Sequence, residues 1–260
     1  MNELQALSLY GSENPFDSAL ARAHSNYTGL EDGRLHRLLD FKRVLPSARL
    51  AHASLRAVLG GADFPCLGAK AALNKGNYRF AAYDDFASQS ATAGLSRDLC
   101  AFVAERAMMH SEYATFIAFF GCADMDEMAF ERVLWEQLQL LHDEDRKYFA
   151  YDPAVSGDPT DSTFAFSFAG VAFFVVGMHP RASRLSRRFS VPALAFNAHA
   201  QFDALRAKGL YDRFKQQIRK RDLLLQGSLN PTLAEFGETS EARQYSGRGV
   251  DPAWRCPFQI

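Results

Sequence analysis

The spacing of apolar positions changes along this chain, and the change predicts its elements. From Gly170 to Arg206 the sequence reads GVAFFVVGMHPRASRLSRRFSVPALAFNAHAQFDALR, opening with Val171, Phe173, Phe174, Val175 and Val176. A continuous run of β-branched and aromatic residues of this length predicts a strand buried on both faces. Gly177 ends it and His179-Pro180 follows. Proline locks φ and pushes the residue before it out of the helical region, so His179 is expected to be extended. After Arg181, Arg184, Arg187 and Arg188, Pro192 opens a second apolar strand, Ala193 to Phe196. That strand runs through Asn197-Ala198-His199 into an amphipathic turn carrying Phe202, Leu205 and Arg206. Two buried strands thus deliver histidine, asparagine and guanidinium groups to their ends, where a rigid sheet presents its chemistry. This stretch is the expected site.

Elsewhere the pattern is mixed. Residues 1–30 read as a loop with a short helix near Phe16–His24. Leu35, Leu38, Leu39 and Phe41 among charges predict an amphipathic helix from Glu31 to Leu45, stopped by Pro46. Ser47 is the expected N-cap of a helix from Ala48 to Leu59, ended by Gly60-Gly61, with His52, Leu55 and Leu59 on one face. Asp63 to Ala69 reads as a proline-fixed turn into small residues. Asn77–Tyr83 and Thr115–Phe120 read as strands, and Ser96–His110 as a helix. The longest helical pattern is Met125–Phe149, with Met128, Val133, Leu134, Leu138, Leu141 and Tyr148 inward. A surface loop over Asp152–Ser162 precedes a strand from Thr163 to Phe168, and Leu210–Leu225 is a basic amphipathic helix. Strands and helices without regular βαβ alternation predict an α+β fold with a mixed sheet of about five strands flanked by helices. The expected organisation is one large domain over residues 31–229, between an irregular segment 1–30 and an irregular tail 230–260 packed on it.

Composition narrows the function classes. The 260 residues are 48% hydrophobic with a net charge of −1, enough for a sizeable core and unlike a general nucleic-acid binder. No run approaches a membrane span, and no signal-peptide pattern is visible, so a cytoplasmic location is expected. Four cysteines without a CxxC pair argue against a zinc site and for reduced thiols. Dinucleotide and P-loop motifs are missing. The 22 phenylalanines suit a thick core or a pocket for a large flat ligand.

Phe64-Pro65-Cys66, Gly177-Met178-His179-Pro180, Ser183-Arg184, Arg187-Arg188-Phe189, Phe196-Asn197, His199, Gln201-Phe202 and Trp254-Arg255-Cys256-Pro257-Phe258 stand together in one chain. With them, the sequence from about Phe41 onward resembles the YqcI/YcgG family, and Leu141-His142 with Asp145 looks like a further motif of it. The resemblance implies a haem-dependent oxygenase that hydroxylates a guanidine nitrogen of L-arginine or a related guanidino amino acid, in antibiotic or other natural-product biosynthesis. It implies haem b with its iron, dioxygen and an external electron donor as partners.

Under that implication the residues take roles. Haem needs an axial ligand, apolar walls and cations for its propionates. His52, on an apolar helical face, is the expected axial ligand to the iron, ahead of His199 and His179; a thiolate from Cys66 or Cys256 is the alternative. Without haem, His52 reads as a core histidine. Phe64 and Cys66 are expected at the cofactor, with Arg184 and Arg187 on its propionates. At least some of the arginines in this run otherwise form a solvated face. His199, His179 and Asn197 are the expected catalytic residues, and Asp145 or Glu112 the carboxylate for the guanidinium. The rival readings are a haem sensor or carrier, and a hydrolase or transferase with Cys66 as nucleophile and His199 as base. A homodimer is left open.

Overall fold

The structure, a computed structural model, describes residues 14–40, 42–106, 108–109, 113–121 and 124–260. Its strands are β1 Thr28–Glu31, β2 Arg34–Arg37, β3 Tyr78–Tyr83, β4 Thr115–Phe120, β5 Phe166–Phe168, β6 Val171–Met178 and β7 Ala193–Ala198. They pair in the order β2-β1-β3-β4-β7-β6-β5, antiparallel except for the parallel pair β3 and β4. The helices are α1 Ala19–His24, α2 Pro46–Gly60, α3 Leu67–Lys75, α4 Gln89–Arg106, α5 Glu127–Asp145, α6 His199–Ala207, α7 Tyr211–Gln226 and α8 Ala242–Tyr245. The fold is α+β with a mixed sheet, as expected, and carries seven strands among the described residues.

The central strands are apolar on both sides because both sides are covered. In β4, Phe116, Ala118 and Phe120 face one core with Leu95, Leu99 and Phe102 of α4 and Phe130, Leu134 and Leu138 of α5. Ile117 and Phe119 face a second, smaller core with Leu55 and Leu59 of α2 and Leu73 of α3. Gly177 in β6 keeps the first core close: an added Cβ would lie 2.7 Å from Leu134, 2.8 Å from Phe130 and 2.8 Å from the Tyr245 carbonyl. The tail reaches that core as well, burying Tyr245 and Phe258.

Several expectations are corrected. The described residues of 31–45 include no helix: β1 and β2 make a hairpin, with Glu31 opposite Arg34. Its two-residue turn needs positive φ at both positions, which Asp32 (49°) and Gly33 (75°) adopt. An Asp-Gly turn overrode the helical spacing of the leucines. The same device joins β5 to β6 through Ala169 (50°) and Gly170 (70°). Ser47 is not an N-cap, because Pro46 is already inside α2 and Leu45 caps it. Residues 67–75 are helical, capped by Cys66 and by the left-handed Gly76. Helix α4 starts before Ser96, and in or beyond α5 Met128 and Tyr148 point outward. The arginine run is not a helix; only Leu185–Arg187 make a 3-10 turn. No helix among the described residues is long and apolar enough to cross a membrane.

Candidate functional site

The second face of the sheet is only partly covered. Side chains two apart on a strand share a face, and cross-strand partners lie side by side on it. Thr115 of β4, Asn197 of β7 and Phe174 of β6 form one such row, and Ile117, Ala195 and Val176 the next. These rows line a cavity of about 370 Å³, within the roughly 300–1,000 Å³ usual for ligand sites. Leu55, Leu59, Phe64, Cys66 and Leu73 line it from α2, α3 and the segment between them, and His199, Phe202, Phe214, Asp222, Phe236 and Glu241 from α6, α7 and the tail. Small residues make the room: Ala195 and Thr115 on the sheet, and Gly68, Ala69 and Ala72 on α3.

Cys66 sits at the N-terminus of α3. Its Sγ accepts from the Ala69 N–H at 3.5 Å. Burial pushes the thiol pKa up, while the N–H groups of Ala69 and Gly68 and the Arg187 guanidinium pull against it. Burial outweighs those groups, so the free side chain is a thiol, and a metal would have to displace its proton. Arg187 lines the same cavity. Its Nη1 donates to the carbonyls of Gly177 (3.1 Å) and Tyr245 (3.3 Å), and its Nη2 to that of Gln244 (3.2 Å). Burial lowers its pKa to about 10, so it is a cation at neutral pH. Among the described residues no carboxylate forms an ion pair with it, although Asp222 acts on it through space, and its Nε–H is not taken up by these bonds. Arg184 also lines the cavity but is occupied: Nη2 binds Asp222 and the Ser228 carbonyl (2.9 Å), and Nη1 meets the Ser228 hydroxyl.

His199 opens α6 at the end of β7. Its Nε2 lies 3.0 Å from Oε2 and 3.1 Å from Oε1 of the buried Glu241. Burial pushes the Glu241 carboxyl up, against the pull of His199, Tyr245 and Arg206. Asn197 Nδ2 donates to the carbonyls of Phe174 (3.3 Å) and Ala195 (3.4 Å), which fixes the amide beside His199. Cys66 and His199 face one cavity, yet no hydrogen bond joins them, which disfavours the nucleophile–base pairing.

Six expected residues thus come together: Phe64, Cys66, Arg184, Arg187, Asn197 and His199. The others do not. His52 lies behind the cavity wall, with Nε2 2.6 Å from the Tyr78 hydroxyl and its ring stacked on Phe80. Burial, with Arg56, lowers its pKa to about 4. It is the core histidine of the alternative reading, because the apolar face that carries it packs on β3. His179 faces the opposite core, stacked on Phe130 at 4.4 Å; one position on from Met178, the pleat turns it away. Its backbone instead ties the arginine loop, N–H to the Arg187 carbonyl and carbonyl to the Phe189 N–H. Asp145 is buried on the same side as His179, where its Oδ1 accepts from Ala169 N–H at 2.8 Å. Cys256 packs against the first core, its thiol raised to about 12 by burial. Glu112 lies outside the described residues.

The cavity's own carboxylates, Asp222, Glu235 and Glu241, were not anticipated. No local pattern marks them. Glu241 meets a histidine 42 positions earlier, through a tail whose polar composition reads as surface. No group of three or more histidine, cysteine or acidic side chains able to hold a bare metal ion occurs among the described residues.

Compared with known proteins, residues 55–259 match the YqcI/YcgG family. No curated protein and no solved structure matches the chain.

Proposed function

Because the chain belongs to the YqcI/YcgG family, we propose that it is a haem-dependent monooxygenase that N-hydroxylates the guanidino group of L-arginine or a related guanidino amino acid. One observation carries this reading: a thiol at a helix N-terminus and an arginine without a carboxylate partner open into the same apolar cavity. Haem asks for an axial donor, flat apolar walls and a cation for a propionate, and each has a candidate here. Bound haem b would activate dioxygen, one oxygen atom entering the N–OH group and the other leaving as water, with electrons from an external donor.

The chain's residues support that chemistry in distinct ways. Cys66 would hold the haem iron in this reading, since it lines the cavity and His52 does not. Burial raises the Cys66 thiol above its ordinary value, and the peptide N–H groups and Arg187 offset only part of that. Arg187 keeps donors in hand for a propionate, whereas Arg184 is committed to Asp222. Leu55, Leu59, Ile117, Phe174 and Val176 exclude water, which strengthens every polar contact inside. His199 and Asn197, at the end of β7, line the same cavity and are the residues this reading assigns to positioning the substrate nitrogen.

A pyridine haemochrome assay on protein expressed with haem supply, followed by turnover of arginine with dioxygen and a reductant, tests the reading. Wild type should retain haem, Cys66→Ser should lose the thiolate signature of the ferrous–carbonyl spectrum, and His52→Ala should keep it. Absence of haem after reconstitution would sink the proposal.

A further inference from the structure

The reading above needs a group that receives a cationic guanidinium, and the cavity's acids are unequally placed for it. Asp222 is paired with Arg184, and Glu235 with Arg219 and Lys215. Glu241 has no such partner. Only 3% exposed, it contacts His199 on one side and Tyr245 on the other: the single hydrogen of the Tyr245 hydroxyl is shared between Oε1 and the Phe173 carbonyl (3.0 Å), and the same oxygen accepts from the Phe166 N–H at 3.0 Å. Arg206 of α6 and the Tyr151 hydroxyl face it through space without a hydrogen bond.

This clamp decides what His199 offers. A carboxylate accepts, so the ring nitrogen facing it carries the hydrogen. Nε2–H therefore points at Glu241, and Nδ1 keeps a lone pair that no hydrogen bond takes up among the described residues. Phe236 (5.0 Å) and Phe202 (6.1 Å), both edge-on to the imidazole, hold the ring against rotation. The pair then presents an imidazole acceptor and, beside it in the same cavity lining, the carboxylate that orients it.

We propose that His199 and Glu241 form the subsite for the substrate's guanidinium, His199 Nδ1 accepting one of its N–H bonds and Glu241 supplying the compensating charge. The inference rests on the proposed function and gives it a recognition element. The other carboxylates of this cavity are captured by its cations, Asp222 by Arg184 and Glu235 by Arg219 and Lys215. Held by His199 and Tyr245 with no arginine or lysine ion pair, the Glu241 carboxyl is left for a ligand. Such a site prefers a guanidinium over the ureido group of citrulline, which has similar shape and no charge. Glu241 acts through His199 and is a positioning residue.

The test uses the full chain. ¹⁵N-histidine NMR should show His199 as the Nε2–H tautomer in wild type and as a mixture in Glu241→Gln. Calorimetric titration of the haem-loaded protein should show arginine binding weakened by about ten- to a hundredfold in Glu241→Gln, the scale of one charge-assisted hydrogen bond. Citrulline binding should hardly change, haem retention should be unaltered, and Glu241→Asp should recover part of the loss. Should Glu241→Gln fail to fold, His199→Gln gives the same titration readout. Wild type binding haem and arginine with both variants undiminished overturns this subsite and leaves the proposed function standing. Wild type that binds no guanidino compound overturns both.

Discussion

Arg184 and Arg187 belong to one run in the sequence and end in opposite circumstances. Arg184 is buried against Asp222, and removing one member of a buried pair strands the other charge. Arg184→Ala should therefore cost about 3–5 kcal/mol, read as a shift in the denaturant midpoint. Arg187 is held by peptide carbonyls and faces the cavity. Arg187→Lys keeps the charge and should cost no more than about 1–2 kcal/mol, but it removes the planar fork. Haem retention should fall in Arg187→Lys by more than its loss of stability explains. Retention equal to wild type would make Arg187 a purely structural cation. His52 teaches the same lesson: an imidazole among leucines at helical spacing is as compatible with a stack on Phe80 as with an open pocket.

At the scale of elements, two short turns hold the sheet's edges, and one of them is tied to α5 by a titrating group. Asp145, the last residue of α5, accepts from the N–H of Ala169 in the turn between β5 and β6. Burial raises its pKa from 3.8 to about 6, only partly offset by that bond. Between those values the folded chain holds a proton that the unfolded chain has released. Its contribution to stability is therefore fully present below pH 3.8 and is lost as pH rises through about 6. Asp145→Asn, which keeps the acceptor and cannot ionise, should flatten this part of the pH–stability curve and be at least as stable as wild type at pH 8. Asp145→Ala should lose about 1–2 kcal/mol at every pH, because the turn N–H is left unpaired. Chemical denaturation between pH 4 and 8 distinguishes the three curves; a decline in Asp145→Asn as steep as in wild type would refute the assignment.

Across the whole molecule, the segment after Gln226 closes the structure. Tyr245 and Phe258 complete the first core, and Ser246, Arg248 and Trp254 all bond Glu131 of α5. The same segment lines the cavity with Leu233, Phe236, Glu241 and Gln244. A chain ending at residue 229 would expose the ring faces beneath Tyr245 and Phe258 and leave Glu131 as a buried charge. It should lose its cooperative unfolding transition by circular dichroism and calorimetry. A sharp transition close to that of the full chain would show the tail to be an accessory.

What the sequence determined by itself was periodic. Unbroken apolar runs marked β4, β6 and β7, helical spacing marked α2, α5 and α7, and the mixture of the two marked an α+β fold. Only the tertiary structure decided which face each side chain takes. A strand covered on both sides has no polar face to orient it, so Met178 at the cavity and His179 against Phe130 look equivalent in the sequence. Nor does local spacing encode which distant segment closes over a face. That Glu241 meets His199, and that Cys66 rather than His52 opens into the cavity, follow from how the tail and α3 pack on the sheet. Burial and pairing across long chain separations are set by the packing of the whole chain, and a window of neighbouring residues does not contain them.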